Sequence, residues 1–152
     1  RRKFFQYIVA GITMSINWGL FRNFEQSEYE CKCGCRSLEK GEATVSVELV
    51  KYVQELRDKC GFALPINSAL RCKKHNDDPK TGGHPTSAHV DTGQGCMAVD
   101  LGVDREKGRI VLQYALDMGV FEGIGIQQRG SSRFLHLDIK KRSGGKAFWS
   151  YA

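Results

Sequence analysis

The sequence has no low-complexity tract, no internal repeat and no uninterrupted apolar stretch long enough to cross a bilayer. The lack of repeats excludes solenoid and propeller arrays, and the lack of a long apolar stretch argues against an integral membrane protein. The composition is otherwise that of an ordinary globular protein, with 41% hydrophobic and 26% charged residues. At 152 residues, the chain is long enough to bury a core of its own as a single domain.

The first 23 residues differ from the rest, because a basic start precedes an apolar run over residues 4–14. A signal peptide or a short membrane anchor begins in this way, but Gln6 and Thr13 interrupt the run and no small-x-small cleavage site follows it. We therefore favour a helix or strand docked on the domain over a targeting remnant. The predicted division is an N-terminal apolar segment at residues 1–23 and a globular domain at residues 24–152.

The charge balance favours an anionic partner, since 23 basic and 17 acidic residues leave a net charge of +6. Nucleic acid, membrane headgroups and an acidic cell-wall polymer all fit this sign of charge. The basic residues are scattered among acidic ones and form no stripe with aromatic residues, which disfavours nucleic acid. The interrupted apolar run disfavours a membrane.

Two helices are predicted from apolar residues at helical spacing. The first begins after Ser46, a residue type that caps helix N-termini, and ends at Gly61. The second extends over residues 105–118 and ends at Gly119.

Strands are predicted at residues 62–71, 97–103, 121–128 and 134–142, and the last two are separated by the turn-forming R-G-S-S at 129–132. Those last two strands are expected to form an antiparallel hairpin. Together with the helices, they predict an α+β fold in which helices flank a small antiparallel sheet. Trp149 and Tyr151, near the C-terminus, are predicted to pack in the core, with the rim of a substrate cleft as the alternative.

Cysteines form a C-x-C-x-C cluster at Cys31, Cys33 and Cys35. Such close spacing does not easily close disulfides within the cluster, so metal ligation or pairing with distant cysteines is favoured. A fourth thiolate from Cys72 would complete a structural zinc site. The alternative is a set of free thiols in a reducing compartment.

A second candidate metal site involves Asp100, which lies within an apolar strand pattern where an unpaired carboxylate would cost several kcal/mol to bury. His89 precedes it, and His136 lies in the middle of the late strand F-L-H-L-D. Two histidines and a carboxylate are a common ligand set for a catalytic zinc. Asp138 faces the same side of the strand as His136 and could accept a proton there. Read one at a time, each of these residues could equally be a satisfied core or surface group.

The order of these motifs resembles that of the superfamily of zinc D-alanyl-D-alanine carboxypeptidases and phage L-alanyl-D-glutamate endolysins, which has the hedgehog-type fold. The resemblance covers residues 24–151, including the opening F-E-Q-S-E-Y-E-C-K-C-G-C. The matching segments are S-A-L-R at 68–71, C-K-K-H-N at 72–76, G-G at 82–83, S-A-H at 87–89, A-V-D at 98–100 and H-L-D at 136–138.

The resemblance implies a zinc peptidase domain at residues 24–152 that cleaves peptide bonds in bacterial peptidoglycan. Its site of action would be the cell wall, the periplasm or the exterior, with delivery by a phage particle or lysis system as one route. The implied zinc ligands are His89, Asp100 and His136. Arg71 would hold a substrate carboxylate or polarise the scissile carbonyl, and Ser87 would orient the first ligand or contact substrate. Asp138 would be the general base or a partner that orients His136.

The sequence departs from the family pattern at two points. The spacing from His89 to Asp100 is eleven residues, four more than in the pattern, and the extra residues bring in the carboxylate of Asp91. Arg133 stands where many relatives have an acidic residue three positions before the last histidine. The missing acidic residue favours, as an alternative, a catalytically inactive zinc-containing domain that binds cell wall or protein. A nucleic-acid module that uses C-K-C-G-C as a zinc knuckle with the surrounding basic residues is the last alternative.

Overall fold

The structure is a computed structural model that describes residues 15–151. Within these residues the chain has two long helices and three short helical elements. The short elements are a 3-10 turn at Trp18–Leu20, helix α1 at Gln26–Tyr29 and helix α3 at Lys73–Asn76.

The two long helices have the predicted bounds. Helix α2 covers Val47–Cys60, and the Ser46 hydroxyl accepts a hydrogen bond from a backbone N–H of its first turn. Helix α4 covers Arg105–Met118. Gly61 and Gly119 end the helices in the left-handed conformation, as predicted from their positions.

The sheet has five strands in the order β1-β2-β4-β3-β5. Their bounds are β1 at Ile66–Ser68, β2 at Ala98–Leu101, β3 at Gly123–Gln127, β4 at Phe134–Asp138 and β5 at Ala147–Ser150. The α+β class and the antiparallel β3–β4 hairpin are as predicted.

The sheet is mixed, because β5, which the sequence patterns do not predict, pairs parallel to β3 while the other neighbours are antiparallel. Both edges of β4 are already occupied by β2 and β3. The returning chain therefore adds at the free edge of β3, and its direction, opposite to that of β4, is the direction of β3.

Side chains alternate between the two faces of the sheet. One face joins the buried core beside α2 and α4, through Val99, Leu101, Ile124, Leu135 and Leu137. The intervening residues, among them Asp100, His136 and Asp138, point to the opposite face. This face carries the candidate site.

The N-terminal segment is described only from residue 15, so the predicted docked apolar run lies outside the described residues. Phe21 is buried in the core, and the Trp18 ring centroid lies 5.2 Å from that of Tyr29. Within residues 15–151, the helices are too short or too polar to cross a membrane.

Candidate metal centre

The three predicted metal ligands converge on one point of the polar sheet face. Asp100 on β2 lies opposite His136 on β4 in the antiparallel register, and His89 reaches them from the loop before β2. His89 Nε2 lies 3.2 Å from His136 Nδ1 and 3.3 Å from Asp100 Oδ1. His136 Nδ1 lies 2.9 Å from the same Asp100 oxygen. All three residues are buried.

The size of this triangle fits a zinc ion. Zinc binds nitrogen and oxygen ligands tetrahedrally at about 2.0–2.2 Å, which separates the ligand atoms by roughly 3.3 Å. The three ligand atoms therefore match one face of the coordination tetrahedron, and the fourth corner is left for water or substrate.

Hydrogen bonds fix which nitrogen of each histidine faces the centre. His89 Nδ1 lies 2.6 Å from the Ala69 carbonyl oxygen, and His136 Nε2 lies 3.0 Å from Asp138 Oδ2. A carbonyl and a carboxylate only accept, so both of these nitrogens donate. In the neutral rings, the lone pairs are therefore on His89 Nε2 and His136 Nδ1, the two atoms directed at the centre.

Asp138 is completely buried and contacts Nε2 of His136, not the Nδ1 that faces the other ligands. Arg142 donates to both of its oxygens at 2.8 and 2.7 Å, and the Lys140 backbone N–H donates at 3.0 Å. Burial alone would raise the pKa of Asp138, but the bonds from His136 and Arg142 outweigh it and lower the pKa to about 2. Sequence reasoning missed Arg142, because it continued the strand to residue 142. The strand in fact ends at Asp138, and the turn that follows returns the guanidinium to it.

The ionisation of the ligand set favours a cation at its centre. Burial lowers the pKa of His89, which keeps that ring neutral. Burial also opposes the charged form of His136, but hydrogen bonds to Asp100 and Asp138 outweigh it and raise the pKa of that ring. Burial likewise opposes the charged form of Asp100, but its contacts with the two histidines hold its pKa well below its usual range. The pKa shifts of His136 and Asp100 therefore both favour positive charge beside the Asp100 carboxylate.

Arg71 and Ser87, the predicted substrate residues, both contact the ligand set. The Arg71 guanidinium donates to Asp100 Oδ2 at 2.6 Å and to Ser68 Oγ at 3.0 Å. Its backbone N–H donates to the His89 carbonyl at 2.9 Å. Ser87 Oγ accepts from the backbone N–H of His89 at 3.3 Å. Both residues therefore contact candidate metal ligands.

The chain resembles a known protein family. The model of the Peptidase M15 family matches residues 22–138. The chain belongs to the Peptidase M15 family. The matched range contains the three candidate ligands and ends with β4, so β5 lies beyond it. No curated protein and no solved structure matches the chain.

In this M15 family member, the loop between His89 and Asp100 is anchored by Asp91. Asp91 accepts hydrogen bonds from the backbone and hydroxyl of Thr44 at 2.8 and 2.9 Å, and from the backbones of Gly93 and Gly95 at 2.8 and 2.9 Å. Gly95 has a φ of +81°, and a Cβ there would lie 2.7 Å from the backbone nitrogen of residue 46. The loop thus folds against residues 44–46, and His89 keeps its place in the ligand set.

The candidate ligands His89, Asp100 and His136 lie in the wall of a cleft of about 890 Å³. Basic and aromatic side chains lie along it, namely Arg71, Lys140, Arg142, Phe134, Trp149 and Tyr151. The prediction that Trp149 and Tyr151 pack in the core is therefore wrong, and the cleft-rim alternative holds. The Trp149 ring centroid lies 5.1 Å from that of His136, and a Cβ at Gly125 would lie 2.6 Å from the Trp149 ring. The pattern G-I-G on β3, followed by W-S-Y, is the sequence signal for this arrangement.

Arg133, three residues before His136, does not line the cleft. Its Nη1 lies 3.6 Å from Asp104 Oδ2, and its Nε donates to the Gly130 carbonyl at 3.0 Å. Among the described residues, the carboxylates that line the cleft are Asp100 and Asp138.

The four cysteines of the second predicted site also come together. The sulfur atoms of all four residues lie within 4.8 Å of one another, namely those of Cys31, Cys33, Cys35 and Cys72. The Cys31 thiol is buried and the other three are partly or fully exposed.

Proposed function

We propose that this M15 family member is a zinc peptidase that hydrolyses a peptide bond in bacterial peptidoglycan stem peptides. The observation that carries the proposal is the convergence of His89 Nε2, Asp100 Oδ1 and His136 Nδ1, with the tautomer of each ring set by a second hydrogen bond. Membership of a peptidase family supports the same reaction class.

The metal would be held by His89, Asp100 and His136. In a site of this kind, zinc supplies the Lewis acidity that brings the pKa of water towards neutrality and polarises a carbonyl. Two of the guanidinium nitrogens of Arg71 are engaged by Asp100 and Ser68. These two contacts hold the Arg71 guanidinium group in place. Its third nitrogen, Nη1, is left to donate to a substrate carboxylate or to the developing oxyanion.

We assign Asp138 a positioning role in preference to the general-base role. Its oxygens accept from His136, Arg142 and the Lys140 backbone. A carboxylate occupied in this way holds the His136 ring in orientation and keeps its Nε2 protonated. A base must instead reach the proton it removes, directly or through one water.

The charge of the cleft supports an anionic peptide substrate. Three basic residues, Arg71, Lys140 and Arg142, and two carboxylates line it, which leaves one net positive charge before a metal is bound, and the whole chain carries a net charge of +6. Peptidoglycan stem peptides carry free carboxylates, which such a lining attracts. We therefore propose the cell wall as the site of action, and delivery by a phage particle or lysis system remains a prediction from the sequence.

A second candidate function is a zinc-containing domain that binds cell wall or protein without cleaving it. It is favoured by the engagement of both cleft-lining carboxylates, Asp100 with Arg71 and Asp138 with Arg142. In that case the domain would bind zinc and the muropeptide but leave every bond intact.

Mass spectrometry of purified peptidoglycan after incubation with the protein tests the proposal. New peptide termini that appear with the zinc-loaded protein and vanish with a chelator are the expected result, and their identity names the bond. Intact muropeptides recovered with zinc-loaded protein would reject hydrolysis and favour the binding domain.

The histidines of the cleft provide a matched pair of variants. His89→Ala removes a candidate ligand, whereas His84→Ala removes a histidine that lines the same cleft and contacts Thr86. We expect His89→Ala to lose both cleavage and one equivalent of bound zinc, and His84→Ala to keep the zinc. Equal zinc contents in the two variants would contradict the assigned ligand set.

A further inference from the structure

The cysteine cluster, defined as Cys31, Cys33, Cys35 and Cys72, lies outside the proposed catalytic centre. Cys31 Sγ lies 3.3 Å from Cys33 Sγ, and Cys33 Sγ lies 3.7 Å from Cys72 Sγ. Zinc–thiolate bonds of about 2.3 Å place the sulfurs of a tetrahedral site roughly 3.8 Å apart. The four sulfurs, all within 4.8 Å of one another and none in a disulfide, therefore enclose a volume of the size that zinc needs.

The backbone around the cluster is folded to present sulfurs inward. The Gly34 backbone N–H donates to the Cys31 carbonyl at 3.3 Å, which closes a turn within C-K-C-G-C. Arg36, immediately after the cluster, has a φ of +57°, which is uncommon for a residue with a side chain. The chain thus reverses tightly enough for three alternate cysteines to face one point, and Cys72 approaches that point from the start of α3.

Donors surround the sulfurs as they would surround thiolates. The Cys72 backbone N–H donates to Cys31 Sγ at 3.3 Å, and the His75 backbone N–H donates to Cys72 Sγ at 3.4 Å. His75 Nδ1 also lies 3.3 Å from Cys31 Sγ. A thiolate only accepts, so with a metal-bound Cys31 thiolate this ring nitrogen would donate to it and stabilise its negative charge.

We propose that the cysteine cluster binds a second, structural zinc ion through four thiolates. All four ligand positions are taken by protein, which is typical of structural sites, whereas the candidate catalytic centre keeps one position open. Cys35 is the fourth ligand, and His75 supports Cys31 from outside the coordination shell.

The second zinc would also position Arg71. Cys72 follows Arg71 directly, and the neighbouring Leu70 backbone N–H donates to the Tyr29 carbonyl at 3.1 Å, just before Cys31. A metal bound by both Cys31 and Cys72 would therefore hold the segment that carries Arg71 against residues 29–31. The metal site itself does not depend on the proposed peptidase activity, whereas this effect on Arg71 rests on it.

Metal analysis and cobalt substitution of the full chain, purified with a reductant, test the proposal. We expect two equivalents of zinc per chain, and one equivalent in both the His89→Ala variant and the Cys33→Ser/Cys35→Ser double variant. Cysteine-to-cobalt charge-transfer absorption should persist in His89→Ala and disappear in the double variant. The catalytic centre has no sulfur ligand, so this absorption reports on the cysteine cluster alone.

Cys60→Ser is the matched control, because Cys60 is a partly buried cysteine at the end of α2, outside the cluster. It should keep both zinc ions and the cobalt–thiolate absorption. A wild-type chain that holds a single zinc, lost in His89→Ala and unchanged in the double variant, would overturn the proposal.

A measurement on the wild-type chain guards against a double variant that does not fold. The cluster thiols should react slowly with a thiol reagent until a chelator is added, and then rapidly. Equal reactivity with and without the chelator, or a mass two hydrogens below that of the reduced chain, would mean free thiols or a disulfide and would reject the second zinc.

Discussion

Replacing Asp138 with Asn separates the two roles that this carboxylate could have. The variant keeps the size of the side chain but replaces one acceptor oxygen with an NH₂ group. In place of Oδ2 this donor faces both His136 and Arg142, and in place of Oδ1 it faces Arg142 and the Lys140 backbone N–H. If the NH₂ group faces His136, the ring proton moves to Nδ1, the atom directed at Asp100. A positioning residue should therefore affect how tightly the metal binds, whereas a general base should affect the turnover of the fully loaded enzyme.

The structure sets the size of each effect. Residues that orient a metal ligand typically contribute about 10- to 100-fold to metal affinity, whereas loss of a general base lowers the rate by roughly 100- to 10,000-fold. Asp138→Asn also weakens two charge-assisted hydrogen bonds, each worth about 1.5–3 kcal/mol. Since the Arg142 side chain is 28% exposed and can be partly rehydrated, we expect a stability loss of about 3 kcal/mol, or a Tm lower by about 6–12 °C.

Zinc affinity, measured by competition with a chromogenic chelator, and kcat at saturating zinc are the two measurements. We expect weaker zinc binding by about 10- to 100-fold and recovery of most of the activity when zinc is in excess. Arg142→Gln, which leaves the carboxylate intact, should show a smaller change in the same direction. Unchanged zinc affinity with kcat still depressed at saturating zinc would refute the positioning role and restore Asp138 as the base.

Two further predictions concern the loop and the cleft wall. Asp91→Ala removes the acceptor of four hydrogen bonds, so the free energy of unfolding, measured in urea, should fall by about 2 kcal/mol. The control Asp117→Ala, at an exposed residue, should change this free energy by less than about 0.5 kcal/mol. Equal values for the two variants would mean that Asp91 does not anchor the loop. Gly125→Ala places a Cβ 2.6 Å from the Trp149 ring, so kcat/KM on muropeptides should fall and tryptophan fluorescence should change. Gly144→Ala, where a Cβ has no neighbour within 4 Å, should leave both unaltered, and an identical response of the two variants would show that Trp149 does not shape the cleft.

The loop between His89 and Asp100 illustrates why a departure from a family pattern can leave a site intact. Loop-closure entropy grows slowly with length, so a few additional residues cost little if they fold against the domain. Here Asp91 binds Thr44 and the two loop glycines, and the loop packs against residues 44–46. The Asp91 carboxylate, which lies close to the candidate site in the sequence, therefore stabilises the loop.

Local physical chemistry in the sequence was enough to predict the two long helices, the hairpin and the candidate ligands that the fold brings together. Helix α2 depends on apolar spacing, a serine cap and a terminal glycine, all within one stretch of chain. Strand alternation likewise indicates that His136 and Asp138 share a face. The family resemblance, now supported by the match over residues 22–138, implied the same three residues as ligands.

Tertiary structure alone decided the partners of these residues, because those partners are distant in sequence or depend on strand order. The bond from His89 to the Ala69 carbonyl and the return of Arg142 to Asp138 follow from how the loops close. The place of Trp149 over the cleft follows from β5 adding beside β3, since both edges of β4 were already occupied. The sequence by itself determined which side chains could bind a metal, and the packing of strands and loops determined which of their atoms face it.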